Sequence, residues 1–127
     1  MYRKSAEDVR MWARVLDLCR LKSDETVCIL TGAASNEQNL EAAMLAVESK
    51  GSHAFQMHVP ARIKSAASVS HDRSAQVGVT PISGNRAAIE GLKRADLVID
   101  LMGLLHSPEQ IEILSSGTRM LMVLEPP

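Results

Sequence analysis

Apolar positions along this chain switch between two periods. Val9, Trp12, Val15, Leu16 and Cys19 recur at three- and four-residue spacing, which predicts a helix over 5–22 with Ser5 as its cap. Thr26 to Thr31 is a short aliphatic run and reads as a buried strand. Ser35 and Gln38 then suit a capping box, followed by a helix with Leu40, Ala43, Met44 and Val47 on one stripe and Gly51 as its stop. His53 to Val59 is the second predicted strand. A long polar loop follows from about Pro60 to Ser83. Asn85 to Lys93 reads as a helix with Ala88, Ile89 and Leu92 inward. Asp96 to Leu101 is the third strand, Pro108 to Ser116 the next helix, and Arg119 to Leu124 the fourth strand.

This alternation predicts an α/β domain, Rossmann-like and three-layered, with a mostly parallel sheet of about four strands. Two of the strands are near-continuous aliphatic runs, as expected where helices cover both faces. The 127 residues fit one domain. The chain stops at Glu125-Pro126-Pro127, directly after a predicted core strand, where doubly wound domains usually continue. We therefore expect residues 1–127 to be a single α/β domain that is a fragment, or the ordered part, of a longer protein.

Composition narrows the function classes. A formal net charge of −1 offers no basic excess to neutralise phosphates, and 2% aromatics offer no stacking platform, so nucleic acid is not expected as a partner. The core must be aliphatic. No stretch approaches the roughly 18 apolar residues of a membrane span, and residues 1–8 lack the apolar centre of a secretion signal; a cytoplasmic protein is expected. Cys19 and Cys28 fall at predicted buried positions, one on a helix and one on a strand, and read as free thiols acting as small hydrophobes.

The strongest chemical signal is Leu104-Leu105-His106-Ser107-Pro108-Glu109-Gln110. Ser107 suits an N-cap, Pro108 the first helical position and Gln110 the reciprocal capping-box position. His106 then sits on the loop at the carboxyl end of a strand, where ligands bind open α/β sheets. It reads either as a pocket residue, bonding a polar substrate near neutral pH, or as an exposed loop histidine or helix cap. Asp96 and Asp100 share strand parity and so one side of the strand. Asp96 is expected near solvent at the strand start, and Asp100 reads as paired with a helix N-terminus, with catalysis as the alternative. Thr31-Gly32-Ala33-Ala34-Ser35 lacks the Gly-x-Gly-x-x-Gly of a dinucleotide site and reads as a tight turn plus N-cap. His53 and His58 lie at odd separation in one strand, on opposite faces, and His71 lies in the long loop. The spacing makes no metal site and no catalytic constellation.

Several strings resemble one family. Gly91-Leu92-Lys93-Arg94-Ala95-Asp96-Leu97-Val98-Ile99-Asp100, Leu104 to Gln110, Gly117-Thr118-Arg119 and Val123-Leu124-Glu125-Pro126-Pro127 resemble the N-terminal domain of the 2,5-dihydroxypyridine 5,6-dioxygenases. Asn39 to Met44 and Val59-Pro60-Ala61 are also similar. The resemblance implies an overall fold related to metal-dependent aminopeptidases. It implies a mononuclear Fe(II) enzyme that opens 2,5-dihydroxypyridine with O2 to N-formylmaleamic acid, in nicotine and nicotinate breakdown. The family's iron ligands, two histidines and an aspartate, lie in a later domain, as do its acid/base residues. Leu105 and His106 match family positions that contact the pyridine.

The expected function is thus an N-terminal domain that contributes substrate-binding residues Leu105 and His106, holds neither metal nor catalytic residues, and makes subunit contacts in a homo-oligomer. This chain alone is expected to be inactive. Two rivals are the N-terminal layer of a metallopeptidase-like hydrolase and a stand-alone binding or assembly module.

Overall fold

The alternation of periods reappears as eight elements: α1 (Tyr2–Leu18), β1 (Thr26–Thr31), α2 (Glu37–Ser49), β2 (His53–His58), α3 (Arg86–Arg94), β3 (Leu97–Asp100), α4 (Pro108–Ser115) and β4 (Arg119–Met122). The structure, a computed structural model, describes residues 2–60, 80–104 and 107–123. The four strands form one sheet in the order β2-β1-β3-β4, and every pairing is parallel.

Strand parity sorts the core into two halves. Val27 and Ile29 of β1 and Leu97 and Ile99 of β3 pack with Trp12, Leu16, Ala43 and Val47 of α1 and α2. Cys28, Leu30 and Val98 point the other way, against Ile89 and Leu92 of α3 and Ile113 of α4. Helices therefore cover both faces, giving the three layers expected from the sequence. Burial on both faces explains why Val27–Leu30 of β1 and Leu97–Ile99 of β3 are apolar, while β2, on the sheet's edge, carries exposed His53, Phe55, Gln56 and His58.

Both cysteines are free, and Cys28 is buried with its thiol pushed up to about 12 by desolvation. A thiol held protonated in this way is inert. Cys19 is half-buried rather than buried, just past the end of α1.

The first helix corrects the expected span of 5–22. It begins at Tyr2, so Ser5 lies within the helix and not at its N-cap position. It ends four residues early because Arg20 adopts a φ of 58°. The Leu21 N–H bonds the Leu16 carbonyl at 3.2 Å and the Arg20 N–H bonds that of Asp17 at 3.0 Å, a Schellman ending. Glycine usually fills that left-handed position; an arginine there left no signal to read.

The second correction concerns Ser35. Asn36, not Ser35, is the N-cap of α2, and its side chain accepts from the Gln38 and Asn39 N–H groups. β1 matches its expected bounds, and the remaining elements stay within two residues of theirs, as frayed ends do.

Candidate functional site

The carboxyl ends of β1, β2 and β3 lie along one rim of the sheet, and the topology marks one place on it. From β1 the chain moves outward to β2, then crosses back to β3 on the other side of β1. The switch point lies between β1 and β3, flanked by the loop at 32–36 and the loop after Asp100. Open α/β sheets bind ligands at such a crevice.

The two loops are tied together. Ser35 Oγ accepts from the Gly32 N–H at 2.8 Å and donates to the Leu101 carbonyl at 2.8 Å. The Ser35 N–H returns to the Gly32 carbonyl, so the segment is the tight turn expected. Gly32 eases the close approach: a Cβ there would meet Met102 Cγ at 3.2 Å, so the methionine side chain would have to shift by a few tenths of an ångström. Ser35 thus trades the expected capping role for a bridge across the switch point.

Asp100 is fully buried. Its Oδ1 accepts from the N–H groups of Met102 (2.9 Å) and Gly103 (2.8 Å), and its Oδ2 from that of Leu104 (2.7 Å). Three donors surround the carboxylate, which offsets much of the cost of burying a charge. This corrects the expected pairing with a helix N-terminus: the partners belong to the loop, before α4 begins. Asp96 is exposed at the other end of β3, where Oδ2 accepts from the Thr26 N–H at 2.9 Å. It fastens the start of β1 and belongs to no site.

Beyond the Asp100 loop, Ser107 is also fully buried. Its N–H and Oγ both donate to the Leu104 carbonyl, at 3.0 and 2.6 Å, and Oγ accepts from the Gln110 N–H. Ser107 is the N-cap and Pro108 opens α4, as the sequence predicts. Leu105 and His106, the expected substrate contacts, lie outside the described residues. Leu104 and Ser107, which flank them in the chain, are both held.

One polar cluster was not legible beforehand. Thr31 Oγ1 lies 3.0 Å from His58 Nδ1 and accepts from Gln56 Nε2 at 3.0 Å. The parallel register sets Thr31 beside His58, and Gln56 shares His58's strand parity. Together with Ser35, Asn36 and Glu37 these residues line a shallow cavity of about 250 Å³ at the ends of β1 and β2. Only the pairing of the strands reveals the cluster.

Among the described residues no three His, Cys, Asp or Glu side chains converge as metal ligands. His53 and His58 sit on opposite faces of β2, as their spacing predicts, and His71 lies outside the described residues.

The family model for 2,5-dihydroxypyridine 5,6-dioxygenase matches residues 7–127. A curated 2,5-dihydroxypyridine 5,6-dioxygenase of Pseudomonas putida is 37% identical over 123 residues, covering 97% of this chain and 35% of the relative. A solved structure of the 2,5-dihydroxypyridine dioxygenase from Pseudomonas putida superposes with a TM-score of 0.83 at 37% identity, over 96% of this chain and 35% of that one. The chain therefore spans about a third of the length of the relatives it matches. By the extent of the family match and the agreement in fold, the chain belongs to the 2,5-dihydroxypyridine 5,6-dioxygenase family.

Proposed function

We propose that the chain is the N-terminal α/β domain of a longer Fe(II)-dependent dioxygenase. The whole protein opens the ring of 2,5-dihydroxypyridine with O2 to give N-formylmaleamic acid, a step of nicotine and nicotinate breakdown. In this reading Leu105 makes apolar contact with the ring and His106 a polar contact with a ring hydroxyl. The observation that carries it is the family match from 7 to 127, which includes the loop between β3 and α4 at the switch point. Subunit contacts of a cytoplasmic homo-oligomer belong to the same reading.

A non-haem iron centre needs about three protein ligands around open coordination positions. The described residues do not fit that requirement: no three candidate ligands converge, and both oxygens of buried Asp100 are engaged by backbone N–H groups. The reading therefore assigns the iron to later residues of the whole protein and routes no chemical step through this domain. The 127-residue chain alone is correspondingly inactive.

The test is His106→Ala in the whole protein. Loss of one polar substrate contact lowers kcat/KM about tenfold or more, while iron content stays at the wild-type level. Unchanged kinetics would remove His106 from the pocket. A wild-type protein that hydrolyses peptides and consumes no oxygen with 2,5-dihydroxypyridine would overturn the reading as a whole.

A further inference from the structure

The loop that follows β3 is fastened at nearly every described residue. The Leu101 N–H bonds the Leu30 carbonyl at 2.9 Å, and the Leu101 carbonyl accepts from Ser35 Oγ. The next three N–H groups, of Met102, Gly103 and Leu104, all bond the carboxylate of Asp100. The Leu104 side chain is fully buried against the α3 and α4 face of the core. The Leu104 carbonyl is bonded twice by Ser107, which is itself buried and caps α4.

A tight turn between a strand and a helix does not require this arrangement. Hydroxyl or amide side chains commonly close such turns without burying a charge. Here a fully buried carboxylate gathers three consecutive backbone N–H groups, and Gly103 takes a φ of +89° to present one of them. The concave set of N–H groups is satisfied from within the chain, so it is not free to take an external anion. What the carboxylate achieves is a fixed backbone path, ending one residue before Leu105.

We propose that Asp100 is a positioning residue for substrate binding. It fixes the backbone of 102–104, and through Leu104 it sets where the chain enters the Leu105–His106 pair. The role rests on the proposed function of that pair. Ser35 and Ser107 are the two outer anchors of the same loop. Asp100 itself touches no substrate and acts only through the backbone it holds. Small displacements of contact residues weaken binding steeply, so the effect appears in KM.

The experiment uses two variants of the whole protein beside His106→Ala. Asp100→Asn keeps one acceptor oxygen but turns an NH2 group toward one of the three N–H donors. Gly103→Ala leaves the carboxylate intact; among the described residues an added Cβ meets nothing within 4 Å, so the change acts by disfavouring the positive φ. Both are expected to raise the KM for 2,5-dihydroxypyridine about tenfold, with kcat within about twofold and iron per chain unchanged. If Asp100→Asn fails to fold, Gly103→Ala carries the test by itself. An unchanged KM in folded, iron-replete variants, beside an impaired His106→Ala, overturns the positioning role. Loss of iron in either variant also overturns it, because the loop would then be supporting the metal site. A raised KM in both variants beside an unimpaired His106→Ala supports the positioning role and removes His106 as the contact.

Discussion

Glu25 and Arg119 stand 94 positions apart and close the amino-end rim of the sheet. Arg119 donates to both carboxylate oxygens, at 2.8 and 2.9 Å, and the Lys22 N–H also bonds Glu25 Oε1. The Arg119 guanidinium, foremost, holds the Glu25 carboxyl at about 2 against an ordinary 4.5. Such a lowered carboxylate stabilises the fold fully above about pH 4.5, and the contribution fades as pH falls toward 2. It is on the order of 1 kcal/mol, because Arg119 is 40% exposed and solvent screens the pair. Urea unfolding of the chain, followed through Trp12, its single tryptophan, measures it. Glu25→Gln should lower stability at pH 7 and converge with wild type near pH 2; equal differences at both pH values contradict the pairing. No local pattern in the sequence announces this contact. Asp100 is different. Asp100-Leu101-Met102-Gly103 is a turn string, and an aspartate three residues before a glycine signals a carboxylate turned onto its own loop. Strand parity is legible there, while the sequence points to a helix N-terminus where the partners are the N–H groups of 102–104.

At the scale of elements, legibility follows how many signals agree. In α3, helical spacing puts Ala88, Ile89 and Leu92 inward, and all three are buried there; Asn85, read as the first helical residue, is instead the N-cap. In α4, Ser107 and Pro108 both mark the start that is observed. The errors arise where adjacent residues compete for one role. Ser35 and Asn36 are both good caps, and the choice was made by the Leu101 carbonyl, which lies 66 positions away and takes the serine. Ser107 offers the clearest test of an element boundary. Ser107→Ala removes the acceptor for the Gln110 N–H and the Oγ donor to the Leu104 carbonyl in a fully buried place. It should cost about 1–2 kcal/mol in urea unfolding. A cost below a few tenths would mean that water replaces the cap and that the loop after β3 is less firmly held than its bonds indicate.

For the whole molecule, the order β2-β1-β3-β4 sets where a ligand crevice can form. It brings the loops at 32–36 and after Asp100 to one switch point and leaves helices on both faces to hold the strands. The layer architecture was legible because alternating periods dictate it. The chemistry was not, since a fold of this kind serves many reactions and the described residues gather no metal ligands. Family membership is what supports the proposed reaction, and the chain covers 35% of the relatives it matches. The most direct measurement is oxygen uptake by the Fe(II)-loaded whole protein on addition of 2,5-dihydroxypyridine. In the proposed reaction both atoms of O2 enter N-formylmaleamic acid, so uptake should match the ring opened mole for mole. Substrate left intact with no oxygen consumed would contradict the assignment.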